Sequence, residues 1–156
     1  MKKIALTRGV FAKVDDGDFN RLNVFNWYVQ EDVRSGKFRA ARKSGGVVIY
    51  LHREILVAPR GVQVDHVNGD TLDNRRKNLR LCTHKENNRN KGLKSTNKSG
   101  YKGVYFHSKS GKWSAQIRVN YKAIYLGLFN NKIDAAKAYD KAALDNFGQF
   151  ASLNFK

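Results

Sequence analysis

Short apolar runs parted by turn residues fill the first sixty positions. The runs KIALT, GVFAKV, VFNWYVQ, KFRAAR and GVVIYLHREI are separated by Asp-Gly, Ser-Gly and Gly-Gly pairs. Runs this short, punctuated this often, suit strands rather than helices, and the pattern predicts a small, mostly antiparallel sheet. Within it, DDGDFNRLNVF has room for one short helix with Asp16 or Asp18 as its cap. From Val62 the order changes. A strand enters an Asn68-Gly69 turn, a polar connection follows, NLRLCT resumes as a strand, and HKENNRNK turns helical behind Thr83 as N-cap.

Beyond that point NKGLKSTNKSG has almost nothing to bury and reads as an exposed linker. Three further strand-like runs, YKGVYFH, KWSAQIRV and KAIYLGLF, are joined by a Ser-Gly turn and a short Asn-Tyr connection, which predicts a three-stranded antiparallel sheet. KIDAAKAYDKAALDNFG then sets Ile133, Ala136, Tyr139, Ala143 and Phe147 at helical spacing and ends on Gly148 as a C-cap. That helix is expected across one face of the sheet. The strand period puts Lys112, Ser114, Gln116 and Arg118 on one face and Trp113, Ala115, Ile117 and Val119 on the other. Only the second set can pack under a helix.

Charge changes the picture more than composition does. The 156 residues carry 30 Lys plus Arg against 13 Asp plus Glu, a formal charge of +17. This is the electrostatic footprint of a nucleic-acid binder, with anionic membrane as the weaker alternative. Between Asn87 and Ile133 stand ten Lys or Arg and no Asp or Glu, a surface of one sign that attracts polyanions through counterion release. No run approaches the roughly 18 apolar residues of a membrane span, and MKKIALTRGVFAKVDDGD lacks the apolar core of a signal peptide. The expectation is a cytoplasmic protein with no membrane partner. Cys82 is the single cysteine, so neither a disulfide framework nor a CxxC zinc knuckle forms within one chain. In LRLCT it reads as a small apolar strand residue.

The segment VDHVNGDTLDNRRKNLRLCTHKENNRN, Val64 to Asn90, holds an Asp-His pair where a strand enters a turn, with Asn78 and Asn87 twelve and twenty-one positions after His66. Its DH, NG, DN, NLR and ENNRN elements, in that order, resemble the HNH nucleases, and in particular the subgroup whose last histidine is an asparagine. The resemblance implies a strand-strand-helix unit holding one divalent metal. It makes His66 the general base, Asp65 and Asn87 the metal ligands, and Asn78 the residue that bonds the loop carrying His66 and keeps the imidazole in line. The chemistry agrees: phosphodiester cleavage needs a nucleophile activated near neutral pH, which suits imidazole, and a cation held by oxygens at the phosphate. Asp plus Asn suits Mg²⁺ or Mn²⁺, one per active site, rather than zinc.

Several neighbours have plainer readings. Asp73-Asn74 reads as a loop or cap, and Asn88 and Asn90 as exposed helix polars within reach of phosphate. His84, in the first turn of the helix, is the rival to Asn87 as ligand. His52, in YLHREI, reads as a histidine on a sheet surface, with DNA or the leaving group as its alternative partners. Arg53, Arg75, Arg80 and Arg89 are unranked candidates for phosphate neutralisation or for a solvated face.

From Tyr101 onward the GV, GKW, A-x-I-R, LG-x-F, AA-x-AYD-x-AA and LNF elements occur in order. They resemble the plant Apetala-type, or ethylene-response-factor, DNA-binding domain, which lays a three-stranded sheet in the major groove with a helix behind it. Matching positions nominate Lys102, Tyr105, His107, Gln116, Arg118 and Tyr125 for DNA contact. Tyr105 and His107 stand where the plant domain is rich in arginine, and Tyr125 replaces its tryptophan, so guanine readout is reduced and the plant target does not transfer.

Together these readings predict an α+β chain. A nuclease domain at 1–92 contains an N-terminal antiparallel sheet and a ββα-metal unit over about 62–91. A basic linker follows at 93–98, and at 99–156 a three-stranded antiparallel sheet packs on one helix. The expected function is site-selective, metal-dependent cleavage of double-stranded DNA by an endonuclease of the homing type. Such enzymes are commonly encoded in phage genomes or mobile introns, so the resemblance implies a phage or bacterial-cytoplasm origin. No obligate protein partner is evident, and one catalytic unit per chain favours nicking by a monomer, whereas a dimer could cut both strands. The rivals are a DNA-binding regulator with an inactive nuclease unit and an RNA-binding protein using the same charge.

Overall fold

The computed structural model describes residues 1–33, 36–90, 92–93 and 95–155. It is an α+β chain of four helices and several small antiparallel sheets, and it divides into two compact units, Met1–Asn87 and Asn88–Lys156. Ser35 of the expected Ser-Gly turn and Lys94 of the expected linker lie outside the described residues. No helix among the described residues is long and apolar enough to cross a membrane.

In the first unit the expected single sheet is two. Strands β1 (Lys2–Ala5) and β2 (Phe11–Val14) form an antiparallel hairpin, followed by helix α1 (Asp16–Leu22). Strands β3 (Tyr28–Asp32), β4 (Lys37–Ser44) and β5 (Val47–Tyr50) make a separate meander. The apolar run read as a strand through Ile55 stops at Tyr50 and becomes helix α2 (Leu51–Leu56). The reason is the burial pattern: Leu51 and Ile55 are fully buried while Arg53 between them is not, and a strand would put all three on one face whereas a helix keeps Leu51 with Ile55 and turns Arg53 aside. The N-cap of α1 is Asp15, not Asp16 or Asp18, and its side chain does not cap the helix. Ile4, Val14, Leu22, Leu51 and Ile55 form the centre of the core, with Trp27 donating its indole N–H to the Leu22 carbonyl at 2.8 Å.

Strand β6 (Gln63–His66) pairs antiparallel with β7 (Leu79–Cys82), Asp65 opposite Arg80 and His66 opposite Leu79. Helix α3 (His84–Arg89) follows directly. Its start is a reciprocal cap, as expected from Thr83: the Glu86 N–H donates to Thr83 Oγ1 at 3.3 Å, while Glu86 Oε2 accepts from the Thr83 N–H at 2.8 Å.

The second unit follows its sequence pattern closely. Strands β8 (Val104–His107), β9 (Lys112–Val119) and β10 (Lys122–Phe129) form one antiparallel sheet with β9 central. Helix α4 (Lys132–Phe147) packs on it through Ala135, Ala136, Tyr139 and Ala143 and ends at Gly148 with φ 51°. Alanines at these positions let the helix lie close to Ala115 and Ile117. Ile133, expected on the packed face, is 46% exposed. Close approach also explains Gly103, where a Cβ would stand 2.0 Å from the Tyr139 ring and 2.6 Å from the Gln116 carbonyl, at φ +75°. The AYD and LNF elements meet: buried Asp140 accepts from the N–H groups of Asn154 and Phe155 at 2.8 and 2.9 Å, and Asn154 Oδ1 accepts from the Lys102 N–H at 2.6 Å.

Candidate active site and nucleic-acid interface

His66 ends β6 and heads a twelve-residue excursion that returns at β7. A polar loop of that length would be mobile if unsupported. This one is braced from inside by Asn78: Asn78 Oδ1 accepts the Asn68 N–H at 3.0 Å, Nδ2 donates to the Asp73 carbonyl at 2.7 Å, and the Asn78 carbonyl accepts the Val67 N–H at 2.9 Å. Gly69, at φ 76°, closes the turn with its N–H on the His66 carbonyl.

It is also held from outside by the N-terminal strands. Lys13 donates its N–H to the Leu72 carbonyl and accepts the Asn74 N–H, each at 2.8 Å. Lys37 Nζ reaches the Gly69 carbonyl at 2.9 Å, and Thr71 Oγ1 donates to the Phe38 carbonyl at 2.5 Å. Asp15 Oδ2 accepts the Arg76 N–H at 2.7 Å, and buried Asp18 takes the guanidinium groups of both Arg21 and Arg76. Asp73, 1% exposed, pairs with Arg75, which holds its carboxyl down to about 2.

The His66 ring is buried at 6% exposure, and Asn74 Oδ1 lies 3.4 Å from its Nε2. Burial pushes the imidazole below its usual range, while the Asn74 contact and neighbouring Asp65 pull it partly back. The ring is therefore neutral at physiological pH, the form able to accept a proton. His52 meets it edge-on at 5.2 Å between ring centres and stacks on Tyr50 at 5.6 Å. The expected sheet-surface position of His52 is corrected: it lies on α2, half-buried, with burial and then His66 driving it down to about 3.

Asp65 is buried, and Arg80 directly opposite clasps its Oδ2 through Nε at 2.9 Å and Nη2 at 2.6 Å. Two residues earlier on the same strand face, Gln63 Oε1 accepts from Asn87 Nδ2 at 2.7 Å. Its amide nitrogen meets His84 Nδ1 at 3.0 Å. Asn87 is thus turned toward the strand face that carries Asp65, with its nitrogen engaged and its oxygen the remaining ligand atom. A carboxylate and an amide oxygen on facing elements are hard donors and fit a divalent cation such as Mg²⁺, with Arg80 as the competing positive charge. Among the described residues no three His, Cys, Asp or Glu side chains gather around one point.

The structure draws Asp65, His66 and Asn78 to one hairpin and links Asn87 to it through Gln63. The four candidate arginines all have intramolecular partners. Arg53 spans the carbonyls of Ala58, Pro59 and Val62, Arg75 holds Asp73, Arg80 holds Asp65, and the Arg89 guanidinium lies 4.4 Å over the Phe147 ring. Asn74 and Gln63 are the site neighbours that the sequence pattern did not single out. The DN pair was the one visible signal for Asn74, and its ordinary meaning is a loop.

On the second unit, strand register puts Tyr105, His107, Gln116, Arg118 and Tyr125 on one face of the sheet, opposite α4. Gln116 stands opposite Tyr125, and Arg118 opposite Ala123. Tyr105 and Tyr125 are 41% and 61% exposed. Ser114 belongs to the same face but is buried between Tyr105 and Leu128, its neighbours in register. Lys102 is the exception among the nominated residues. It precedes β8, is half-buried, and donates from Nζ to the Arg89 carbonyl at 2.7 Å, with burial lowering its amine to about 8.

The first unit carries an Asp-His hairpin with a short helix and the second a basic three-stranded sheet, and a stretch of each is similar to a known family. Residues 58–89 match the HNH endonuclease family and residues 99–149 match the AP2 domain. The chain therefore carries a stretch similar to HNH endonucleases, which suggests a nuclease, and one similar to the AP2 domain, which suggests DNA binding, and both resemblances drawn from the sequence are borne out. Among its relatives, APETALA2-like protein 2 of Oryza sativa subsp. indica is 43% identical over 60 residues, covering 37% of this chain and 14% of that protein. An AP2-like ethylene-responsive transcription factor of Arabidopsis thaliana is 42% identical over 57 residues, covering 36% of this chain and 12% of that protein. The chain thus spans about one seventh of the plant proteins it matches. An uncharacterized HNH endonuclease of Acanthamoeba polyphaga mimivirus is 28% identical over 159 residues, covering 94% of this chain and 76% of that protein.

Proposed function

We propose that this chain is a site-selective, divalent-metal-dependent endonuclease of the homing type that hydrolyses phosphodiester bonds of duplex DNA. The observation that supports it best is the buried His66 at the head of a loop braced by Asn78 and by the N-terminal strands. A general base must sit at a fixed angle to its water, and a loop held both from within and by the N-terminal strands provides that rigidity.

His66 takes the proton of the attacking water. Asn78 keeps the loop, and hence the imidazole, in place. Asp65 and Asn87 would hold Mg²⁺ or Mn²⁺, which when bound supplies positive charge at the scissile phosphate and the leaving oxygen. Arg80 holds the Asp65 carboxylate aligned until then. The exposed sheet face of the second unit, through Gln116, Arg118, Tyr105, His107 and Tyr125, selects the DNA, and Lys102 and the basic residues around 93–98 add phosphate attraction. Residues 1–92, 93–98 and 99–156 serve as nuclease, linker and positioning domain. One site per chain makes a monomer a nicking enzyme, and the cytoplasm of a phage-infected cell is the setting this activity implies.

Plasmid nicking with Mg²⁺, compared with chelator, tests the reading. The His66→Ala variant is expected to lose cleavage by about 10²- to 10⁴-fold while binding DNA as the parent does at matched salt. Cleavage by that variant at the parent rate removes His66 as the base. Uncut DNA with the parent chain removes the enzymatic reading altogether.

A further inference from the structure

We infer that Asn74 is a positioning residue that fixes the tautomer of His66, keeping the ring proton on Nε2 so that Nδ1 is the nitrogen that takes the proton of water. The inference deepens the proposed function and rests on His66 as its base.

Asn74 is 1% exposed, and its own N–H is anchored on the Lys13 carbonyl of β2 at 2.8 Å. Its backbone is thus set by the N-terminal hairpin, not by the loop it belongs to. From that anchor Oδ1 points at His66 Nε2, 3.4 Å away. An amide oxygen only accepts hydrogen bonds, so the contact requires Nε2 to carry the proton, and in a neutral imidazole the lone pair then falls on Nδ1. The separation is long for a hydrogen bond, as such contacts often are before substrate closes a site.

The second observation concerns atoms that fold stability alone would not keep. Three buried side-chain atoms among the described residues lack a hydrogen-bond partner: Gln30 Oε1, His52 Nδ1 and Asn74 Nδ2. Two of the three belong to side chains that touch the His66 ring. A leucine in place of Asn74 has the same branched skeleton, though more bulk, and leaves no donor unpaired, so packing alone does not account for an asparagine here. Turning the amide over gives no relief. Nδ2 would then donate to Nε2, Oδ1 would become the unpaired atom, and His66 would be forced into the opposite tautomer, with its proton on Nδ1. The two amide orientations therefore specify two different bases, and a measurement separates them.

The test is the tautomeric state of His66 in the full chain, labelled with ¹⁵N at histidine and read by long-range ¹H–¹⁵N correlation near pH 8 without metal or DNA. The His66 signals are assigned by their loss in His66→Gln. The expected result is the Nε2–H form, and the Nδ1–H form in the parent protein overturns the inference with no variant needed. Asn74→Leu is expected to give a mixture of tautomers and, through the lost tautomer and the loosened ring together, to lower kcat roughly 10-fold with KM for DNA nearly unchanged. Asn74→Asp, which restores an acceptor, is expected to regain the Nε2–H form and most of the rate. An Asn74→Leu variant that keeps a pure Nε2–H ring and the parent kcat overturns the inference. Because the spectrum is taken without DNA, a chain that cuts nothing ends the proposed function while this result still stands or falls separately.

Discussion

In the second unit three consecutive strands pack on the helix that follows them, whereas in the first the loop behind His66 is tied to Lys13, Asp15 and Asp18, some 57 to 61 positions earlier in the chain. The bonding differs in kind as well as in range. Small apolar residues close the second unit, with Asp140 and Asn154 as a polar latch on its last residues. Charge pairs and backbone carbonyls close the loop of the first. A binding platform tolerates rotation of its parts if its outer face survives. A general base does not, because its rate depends on tenths of an ångström and a few degrees. Dense polar bracing suits that demand: each hydrogen bond fixes direction, which apolar packing alone does not.

The contrast can be broken most severely at Gly103. In Gly103→Ala the added methyl overlaps the Tyr139 ring and the Gln116 carbonyl at positive φ, and the second unit is expected to lose about 3 kcal/mol or more. The chain has one tryptophan in each unit, Trp27 and Trp113, so denaturation of Trp27→Phe and Trp113→Phe backgrounds reports each unit separately. Trp27 fluorescence is expected to hold its midpoint while that of Trp113 falls; equal shifts in both would mean the units are not independently stabilised.

Asp73 provides the reciprocal test. Its folded pKa of about 2 lies below the unfolded value near 3.9, so its contribution is fully present above pH 4 and lost as the pH falls toward 2. The amount is about 2 kcal/mol. Asp73→Asn is expected to lower the stability of the first unit by that order at pH 7 and to flatten its acid dependence between pH 4 and 2, read from Trp27. An unchanged acid limb would mean that Arg75 contributes nothing to the loop.

A milder change sharpens the comparison in the second unit. Asn131 caps α4 by accepting the Asp134 N–H at 2.8 Å, and Asn131→Ala is expected to cost about 1 kcal/mol, a fall of about 5 °C in Tm for a unit of this size. Cleavage chemistry at saturating DNA is expected to stay within twofold of the parent, because the cap touches nothing in the His66 loop. A larger loss of kcat would show that the helix matters to chemistry and not only to binding.

Much of this was legible in the residues. Helix α4 and its sheet follow from periods of 3.6 and 2 with turn residues between them, because their contacts are mostly between neighbours in sequence. Thr83 and Gly148 announced their caps for the same reason. Misreadings arose where the run of apolar residues was continuous. Val47 to Leu51 carries no period, and only the burial of Leu51 with Ile55 while Arg53 stays partly exposed marks the end of the strand at Tyr50. His52 moved from a sheet surface to the side of His66 as a result.

The sequence alone determined that the chain is basic, that it holds an Asp-His pair followed by spaced asparagines, and that its second half folds as three strands and a helix. Each of these is a matter of composition or of local period. Tertiary structure alone decided that Asn74 faces His66, that Arg80 clasps Asp65, and that Lys13, Asp15 and Asp18 hold the loop between them. Those contacts join residues with no shared periodicity, and hydrogen bonds between distant polar groups leave no regular trace along the chain.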